Sequence, residues 1–137
     1  MNRVLLVEDN PDDLELAQLA FARSAQPTAV DVARNGAEAL EYLFTRRPEP
    51  PQVVLLDIKL PLVDGIDVLR RIKADPRTRA IPVVMLTSSA QDRDLQACYE
   101  LGANSYIVKP VDMEQFMAAV NYIGVYWLGL NLTDARS

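Results

Sequence analysis

An α/β fold built on a single parallel β-sheet is predicted by three features of this chain. Short apolar runs alternate with helix-length amphipathic segments along its 137 residues. Turn residues bound the apolar runs, a pattern typical of strands that are buried on both faces of a parallel sheet. Several of these runs also end in polar residues that are able to take part in catalysis. Alternating strands and helices predict right-handed crossovers, with helices covering both faces of the sheet.

The predicted elements alternate strictly between strand and helix. Strands are predicted near residues 3–7, 29–34, 52–56, 82–87 and 104–108. Helices are predicted near residues 11–25, 36–45, 64–74, 91–102 and 112–128. The second strand, from Ala29 to Arg34, alternates apolar and polar residues, which favours a position at the edge of the sheet.

Local chemistry marks where several of the helices begin. Asn10 is suited to cap the first helix, and Pro11 suits its first position. Asp64 is placed to cap the third helix in the same way. Asp112 and Gln115 form a capping-box pattern before the last helix. These starts are therefore indicated independently of the apolar patterns.

Composition indicates one globular domain and limits the partners, catalytic groups and metal ligands that it can have. Residues 1–128 are expected to form this domain, followed by a short tail over 129–137. The net charge of −5 disfavours nucleic acid and anionic lipid as partners. Histidine is absent, which excludes imidazole catalysis and histidine-based metal binding. The single cysteine, Cys98, predicts a buried thiol in a protein of the reducing cytoplasm, and no apolar stretch is long enough to span a membrane.

Acidic residues follow two of the predicted strands. Glu8 and Asp9 come after the first strand, and Asp57 comes after the third. Because ligand sites of parallel sheets lie beyond the carboxyl ends of the strands, these acids are expected to lie together. Clustered carboxylates repel one another unless a cation neutralises them, and their hard oxygen atoms suit Mg²⁺. In the alternative interpretation, the first two acids only lead into a helix and Asp57 caps a turn.

A hydroxyl and an ammonium group are expected beside these acids. Thr87 follows the fourth strand and Lys109 follows the fifth. A carboxylate such as Asp57 can attack a phosphoryl group and form an acyl phosphate. Thr87 could then donate to a phosphoryl oxygen, and Lys109 could pair with Asp57 or with its phosphate, unless it is an ordinary surface lysine. The bond between Lys109 and Pro110 is a candidate cis peptide.

Together these residues resemble the receiver domain of two-component response regulators, the family typified by the bacterial chemotaxis regulator. The resemblance covers nearly the whole chain. It implies a flavodoxin-like (βα)5 fold, a doubly wound five-stranded parallel sheet, and a phosphoryl group that passes from a sensor kinase phosphohistidine to Asp57. The implied ligands of Mg²⁺ are Glu8, Asp9, Asp57 and the backbone carbonyl of Lys59.

The resemblance also implies how such a domain signals. Thr87 and Lys109 would contact the phosphoryl oxygens, and Tyr106 would be the aromatic residue that turns inward on activation. The surface that changes would be the face built from the fourth helix, the fifth strand and the fifth helix. The domain would be a phosphoacceptor rather than an enzyme, with self-phosphorylation and self-dephosphorylation as its only reactions.

A narrower resemblance is to the small response regulators that partner bacterial phytochromes. It rests on the proline-rich loop 48–51, the stretch from Arg71 to Pro76, and the tail that contains Trp127. It implies that the partner kinase is a bacteriophytochrome.

The end of the last predicted helix is apolar on nearly all sides. Exposed apolar patches mark interfaces, so the sequence predicts a homodimer through this helix, unless the tail folds back on its own domain. The candidate interface residues are Tyr122, Val125, Tyr126, Trp127 and Leu128.

Three other classes of protein fit less well. A catalytically silent receiver-like binding module would have no reason to keep every acid, hydroxyl and lysine of the pattern. A metal-dependent aspartate phosphatase usually carries a second acid two residues after its nucleophile, where this chain has Lys59. A Rossmann nucleotide-binding domain needs a glycine-rich phosphate loop, where this chain has the acidic stretch from Glu8 to Asp12.

Overall fold

The computed structural model describes residues 2–24, 28–46, 50–87, 92–108 and 112–123. Its strands are β1 (Asn2–Val7), β2 (Thr28–Ala33), β3 (Val53–Asp57), β4 (Val83–Thr87) and β5 (Ser105–Val108). They form one sheet in the order β2-β1-β3-β4-β5, and every pair of neighbours is parallel. The predicted parallel α/β sheet is therefore confirmed, and so is the edge position of β2.

Helices cover both faces of this sheet, as predicted. They are α1 (Pro11–Ala22), α2 (Gly36–Glu41), α3 (Gly65–Ala74), α4 (Asp92–Leu101) and α5 (Met113–Ile123). One apolar core contains Phe21 of α1 and Phe116 of α5, packed on one face of the sheet. The other contains Ile72 of α3 and Cys98 of α4, so the predicted buried thiol is confirmed. Successive residues of β1 and β3 point into alternate cores, which explains why their apolar runs are continuous.

Strand β5 is less buried than the sequence predicts. Its side chains alternate between partly buried and exposed, and Tyr106 and Val108 are among the exposed ones. The reason is the strand order, because β5 is an edge strand on the opposite side of the sheet from β2 and has only β4 beside it. An apolar run of Tyr, Ile and Val does not by itself distinguish an edge strand from a central one.

The second predicted helix is only partly an α-helix. Helix α2 ends at Glu41, and one π-helical turn over Tyr42–Arg46 follows it. The Thr45 hydroxyl donates to the Glu41 carbonyl oxygen over 2.7 Å. Hydrogen bonds of this kind slightly destabilise helices and often bend them. The Tyr42 hydroxyl donates to the carboxylate of Asp31 on β2. This second bond depends on the tertiary structure and has no local sequence signal.

Two of the three predicted helix caps form as expected. The Asn10 side-chain oxygen accepts from the backbone N–H groups two and three residues further on, at 2.9 and 3.3 Å. The Gln115 backbone N–H donates to the Asp112 carboxylate over 2.7 Å, and the Gln115 side chain accepts from the Asp112 N–H over 3.2 Å. Asp64 does occupy the N-cap position of α3, but its side chain makes no capping hydrogen bond.

Helix lengths agree less closely with the prediction. Helix α1 ends at Ala22, and Arg23 forms its C-cap with an N–H that donates to the Leu19 carbonyl oxygen over 3.1 Å. Of the helix predicted over 112–128, residues 124–128 lie outside the described part of the chain. Within the described residues, no helix is long and apolar enough to cross a membrane.

Candidate metal and phosphoryl-acceptor site

Glu8 is a buried acid at the carboxyl end of β1. Its N–H donates to the Ala33 carbonyl oxygen over 3.0 Å, which continues the hydrogen bonding between β1 and β2. Its side chain is only 1% exposed, and its Oε2 atom accepts from the N–H groups of Asp9 and Asn10 at 3.1 and 3.3 Å. A buried carboxylate needs such compensation, and a nearby cation would add to it.

Three carboxylates converge at this edge, as the sequence predicts. Glu8, Asp9 and Asp57 each present an oxygen atom, and these atoms all lie within 4.8 Å of one another. Ligand oxygens at 2.0–2.6 Å from one ion can be at most about 5 Å apart, so the cluster has the dimensions of a single metal site. Glu8 and Asp57 are buried whereas Asp9 is exposed, which leaves one side of the cluster open to solvent.

A tight loop holds Asp57 at the end of β3. Asp57 is 7% exposed, and its Oδ1 atom accepts from the Lys59 N–H over 3.3 Å. The Ile58 N–H donates to the Leu86 carbonyl oxygen over 3.0 Å, which ties the start of the loop to β4. The chain then returns so closely that a Cβ atom at Gly65 would lie 2.0 Å from the Asp57 carbonyl oxygen. Glycine is therefore required at this position.

The same loop contains a strained turn at Leu62. Among the described residues, Leu62 alone has a positive φ angle without being glycine, at 71°. The Val63 N–H donates to the Pro61 carbonyl oxygen over 2.9 Å, and this bond across a residue of positive φ is typical of the strained form of the γ-turn. The Leu62 side chain is 80% exposed, so little burial offsets the strain.

Thr87 lies at the same edge of the sheet as the three acids. It is the last residue of β4, which neighbours β3, and its side chain is buried. In the register of β4 with β5, Thr87 pairs with Val108. Lys109 and Pro110, the next two residues of the prediction, lie outside the described part of the chain.

Tyr106 of β5 faces outward and contacts a second tyrosine. Its side chain is 40% exposed, and its ring meets Tyr99 of α4 edge to face, with 5.8 Å between the ring centroids. Sequence reasoning identified Tyr106 but missed Tyr99, because an exposed tyrosine on a helix carries no distinguishing pattern. Desolvation by burial, and then the neighbouring Tyr106, raise the pKa of the Tyr99 phenol.

The predicted dimer residues are not tested by this structure. Val125, Tyr126, Trp127 and Leu128 lie outside the described residues. Tyr122 belongs to α5, but its side chain is not among those described.

Comparison with known proteins identifies the family. Residues 4–121 match the response regulator receiver domain. The chain therefore belongs to the response regulator receiver domain family, the family of two-component signalling that the site residues indicate.

Two relatives and one solved structure match most of the chain. It is 44% identical over 131 residues to the probable methanogenesis regulatory protein FilR2 of Methanothrix harundinacea, covering 93% of this chain and 84% of the relative. It is 35% identical over 130 residues to response regulator Rcp1 of Synechocystis sp., covering 91% and 88%. The phosphorylated cyanobacterial phytochrome response regulator RcpA has a similar structure, with a TM-score of 0.84, 39% identity and coverage of 93% and 94%.

The spacing of the three carboxylate oxygens suits a divalent metal ion. One solved structure of similar fold is the Mn²⁺-bound form of response regulator Rcp1, with a TM-score of 0.83, 34% identity and coverage of 93% of this chain and 95% of the other.

Proposed function

We propose that Asp57 is the phosphoacceptor of a two-component relay and that it works with Mg²⁺. The observation that carries this proposal is the position of Asp57 within 4.8 Å of the two other carboxylates, at the carboxyl edge of a parallel sheet. The proposed metal ligands are Glu8, Asp9, Asp57 and the Lys59 carbonyl oxygen. When bound, Mg²⁺ supplies neutralisation of the charges that meet during phosphoryl transfer.

The proposed reaction is a direct transfer between a histidine and Asp57. One Asp57 carboxylate oxygen forms a bond to the phosphorus atom while the P–N bond of a phosphohistidine breaks. The imidazole nitrogen retains the electron pair of that bond, and Asp57 becomes an acyl phosphate. The Thr87 hydroxyl then donates to one phosphoryl oxygen and the Lys109 ammonium pairs with another.

The same two contacts are proposed to change the surface of the domain. A phosphoryl group on Asp57 draws Thr87 toward it, and Tyr106 turns inward into the space that Thr87 leaves. This alters the face built from α4, β5 and α5, where partners would bind. A local change of charge thereby shifts a two-state element, as in other phosphorylation switches.

The proposed phosphodonor is a sensor histidine kinase, and specifically a bacteriophytochrome of the cytoplasm. Similarity to the cyanobacterial phytochrome response regulator RcpA supports this pairing. The protein would catalyse only its own phosphorylation and dephosphorylation. A homodimer through the end of α5 is proposed as one output, with Tyr122, Val125, Tyr126, Trp127 and Leu128 at its interface.

Intact mass spectrometry tests the proposal. The full chain is incubated with acetyl phosphate and MgCl2, and parallel samples contain EDTA. We expect a mass gain of one phosphoryl group in the wild-type protein and in Asp64→Asn, but none in Asp57→Asn or with EDTA. Asp64→Asn is the matched control, because Asp64 is an exposed acid in the adjacent loop and makes no capping bond. Labelling of Asp57→Asn would contradict Asp57 as the phosphoacceptor. No labelling of any sample would contradict the proposal and favour a silent binding module.

A further inference from the structure

We propose that Tyr99 is a positioning residue that holds Tyr106 in its outward position and thereby sets how readily the domain switches. This inference rests on the proposed role of Tyr106. It concerns the unphosphorylated protein, in which a contact between two side chains opposes the inward turn. Three structural points support it.

The first point is the geometry of the contact. The two ring planes are inclined by 79° with their centroids 5.8 Å apart, which is the favoured edge-to-face arrangement of aromatic pairs. Tyr99 belongs to α4 and Tyr106 to β5, so the contact joins two elements of the face that is proposed to change. The rings are 49% and 40% exposed, so burial by other residues does not fix them fully.

The second point is the direction in which Tyr106 would move. In the parallel register, Tyr106 pairs with Met85, and Val108 pairs with Thr87. Because side chains alternate along a strand, residues two apart share one face of the sheet. Tyr106 and Thr87 therefore lie on the same face, and the Tyr106 ring can turn toward Thr87 without crossing the sheet.

The third point is that this movement leads away from Tyr99. Thr87 is the last residue of β4 and lies at the carboxyl edge of the sheet. Helix α4 runs back from that edge toward the start of β5, and Tyr99 lies two residues before its end at Leu101. Tyr99 is therefore near the amino ends of the strands, and a Tyr106 ring that turns toward Thr87 has to move away from Tyr99.

The strength of such aromatic pairs gives the size of the effect. Edge-to-face aromatic pairs shift an equilibrium by about two- to tenfold beyond the burial of their area. Removal of the Tyr99 ring is therefore expected to raise the ratio of inward to outward Tyr106 by about that factor. The pair sets the bias of the switch, and Asp57 and Thr87 remain the residues that operate it.

Fluorine NMR on the full chain tests the inference. Tyrosines are replaced by 3-fluorotyrosine, the Tyr106 resonance is assigned with Tyr106→Phe, and its solvent isotope shift reports ring exposure. In the protein without phosphodonor, we expect Tyr99→Ala and Tyr99→Leu to make Tyr106 less exposed. Tyr99→Phe keeps the ring and should match the wild-type protein. Titration with beryllium fluoride and MgCl2 should reach its midpoint at a two- to tenfold lower concentration in Tyr99→Ala.

The outcomes separate this inference from the proposed function. Unchanged Tyr106 exposure in both Tyr99→Ala and Tyr99→Leu would overturn the inference, and so would an equal change in Tyr99→Phe. The leucine variant keeps an apolar side chain, so a folding defect of the alanine variant would not hide the result. If beryllium fluoride leaves Tyr106 unchanged in the wild-type protein, the proposed switch fails. The spectra without phosphodonor still decide the role of Tyr99 in that case.

Discussion

Removal of the charge of Asp57 is expected to stabilise the protein when no metal is bound. Carboxylate oxygens of Glu8, Asp9 and Asp57 lie within 4.8 Å of one another, so their negative charges repel. Asp57→Asn keeps the size of the side chain and an oxygen that can accept from the Lys59 N–H. It therefore tests the charge with little change of packing.

The structure gives the order of magnitude of this effect. Coulomb's law at an effective dielectric constant of about 20 gives about 332/(20 × 4.8), or roughly 3.5 kcal/mol, for the buried pair of Glu8 and Asp57. The pair of Asp57 with exposed Asp9 is screened by water and contributes roughly 1 kcal/mol. Backbone hydrogen bonds to the carboxylates of Glu8 and Asp57 relieve part of this repulsion. We therefore expect a gain of about 1–3 kcal/mol in the free energy of unfolding.

Guanidinium chloride unfolding in EDTA and in saturating MgCl2 measures this effect. In EDTA, Asp57→Asn should be more stable than the wild-type protein, whereas Asp64→Asn should be unchanged. MgCl2 should stabilise the wild-type protein through binding to the folded state, and it should stabilise Asp57→Asn much less. The reasoning is refuted if Asp57→Asn is less stable than the wild-type protein in EDTA, or if MgCl2 stabilises both proteins equally.

Three further predictions concern residues outside the acidic cluster. Leu62→Gly should raise the free energy of unfolding, measured by thermal or chemical unfolding, by about 1 kcal/mol. Glycine tolerates the positive φ angle of 71°, and the side chain that is lost is mostly exposed. A loss of stability would contradict the assignment of strain to Leu62. Lys73→Met should lower the free energy of unfolding by about 1–3 kcal/mol, because the Lys73 ammonium donates to two backbone carbonyl oxygens at 2.8 and 3.1 Å. Burial lowers the pKa of this group. An unchanged unfolding midpoint would show that these bonds are not needed. Arg77→Ala should raise the pKa of the Asp75 carboxyl in an NMR titration, because hydrogen bonds from Arg77 lower this pKa. The stability that the lowered pKa gives is present above the pKa of the unfolded state and is lost as the pH falls through the pKa of the folded state. An Asp75 pKa that does not change in the variant would contradict this cause.

The sheet and the acidic cluster could be predicted because their signals are local or follow from topology. Apolar runs such as Val53 to Leu56 indicate buried strands by themselves, and parallel strands bring their carboxyl ends to one edge. Residues at the carboxyl ends of adjacent strands, such as Glu8 after β1 and Asp57 at the end of β3, therefore lie close together. The caps at Asn10 and Asp112 needed only neighbouring backbone groups, and both formed.

The features that could not be predicted depend on contacts between distant parts of the chain. The π-helical turn after α2 accompanies a bond from Tyr42 to Asp31, eleven residues earlier on another element. The exposure of β5 follows from the strand order, which the run itself does not encode. The positive φ angle of Leu62 occurs in the loop that returns against Asp57 at Gly65, and leucine gives no sequence signal for it.

The central claim is that Asp57 receives a phosphoryl group from a histidine, and a phosphotransfer assay tests it most directly. Autophosphorylated, ³²P-labelled bacteriophytochrome kinases are mixed with the full chain in MgCl2, and the wild-type protein is compared with Asp57→Asn and Asp64→Asn. We expect label to move to the wild-type protein and to Asp64→Asn, and hydroxylamine to release it, because an acyl phosphate is the product. Label that appears on Asp57→Asn, or that resists hydroxylamine, would contradict the claim.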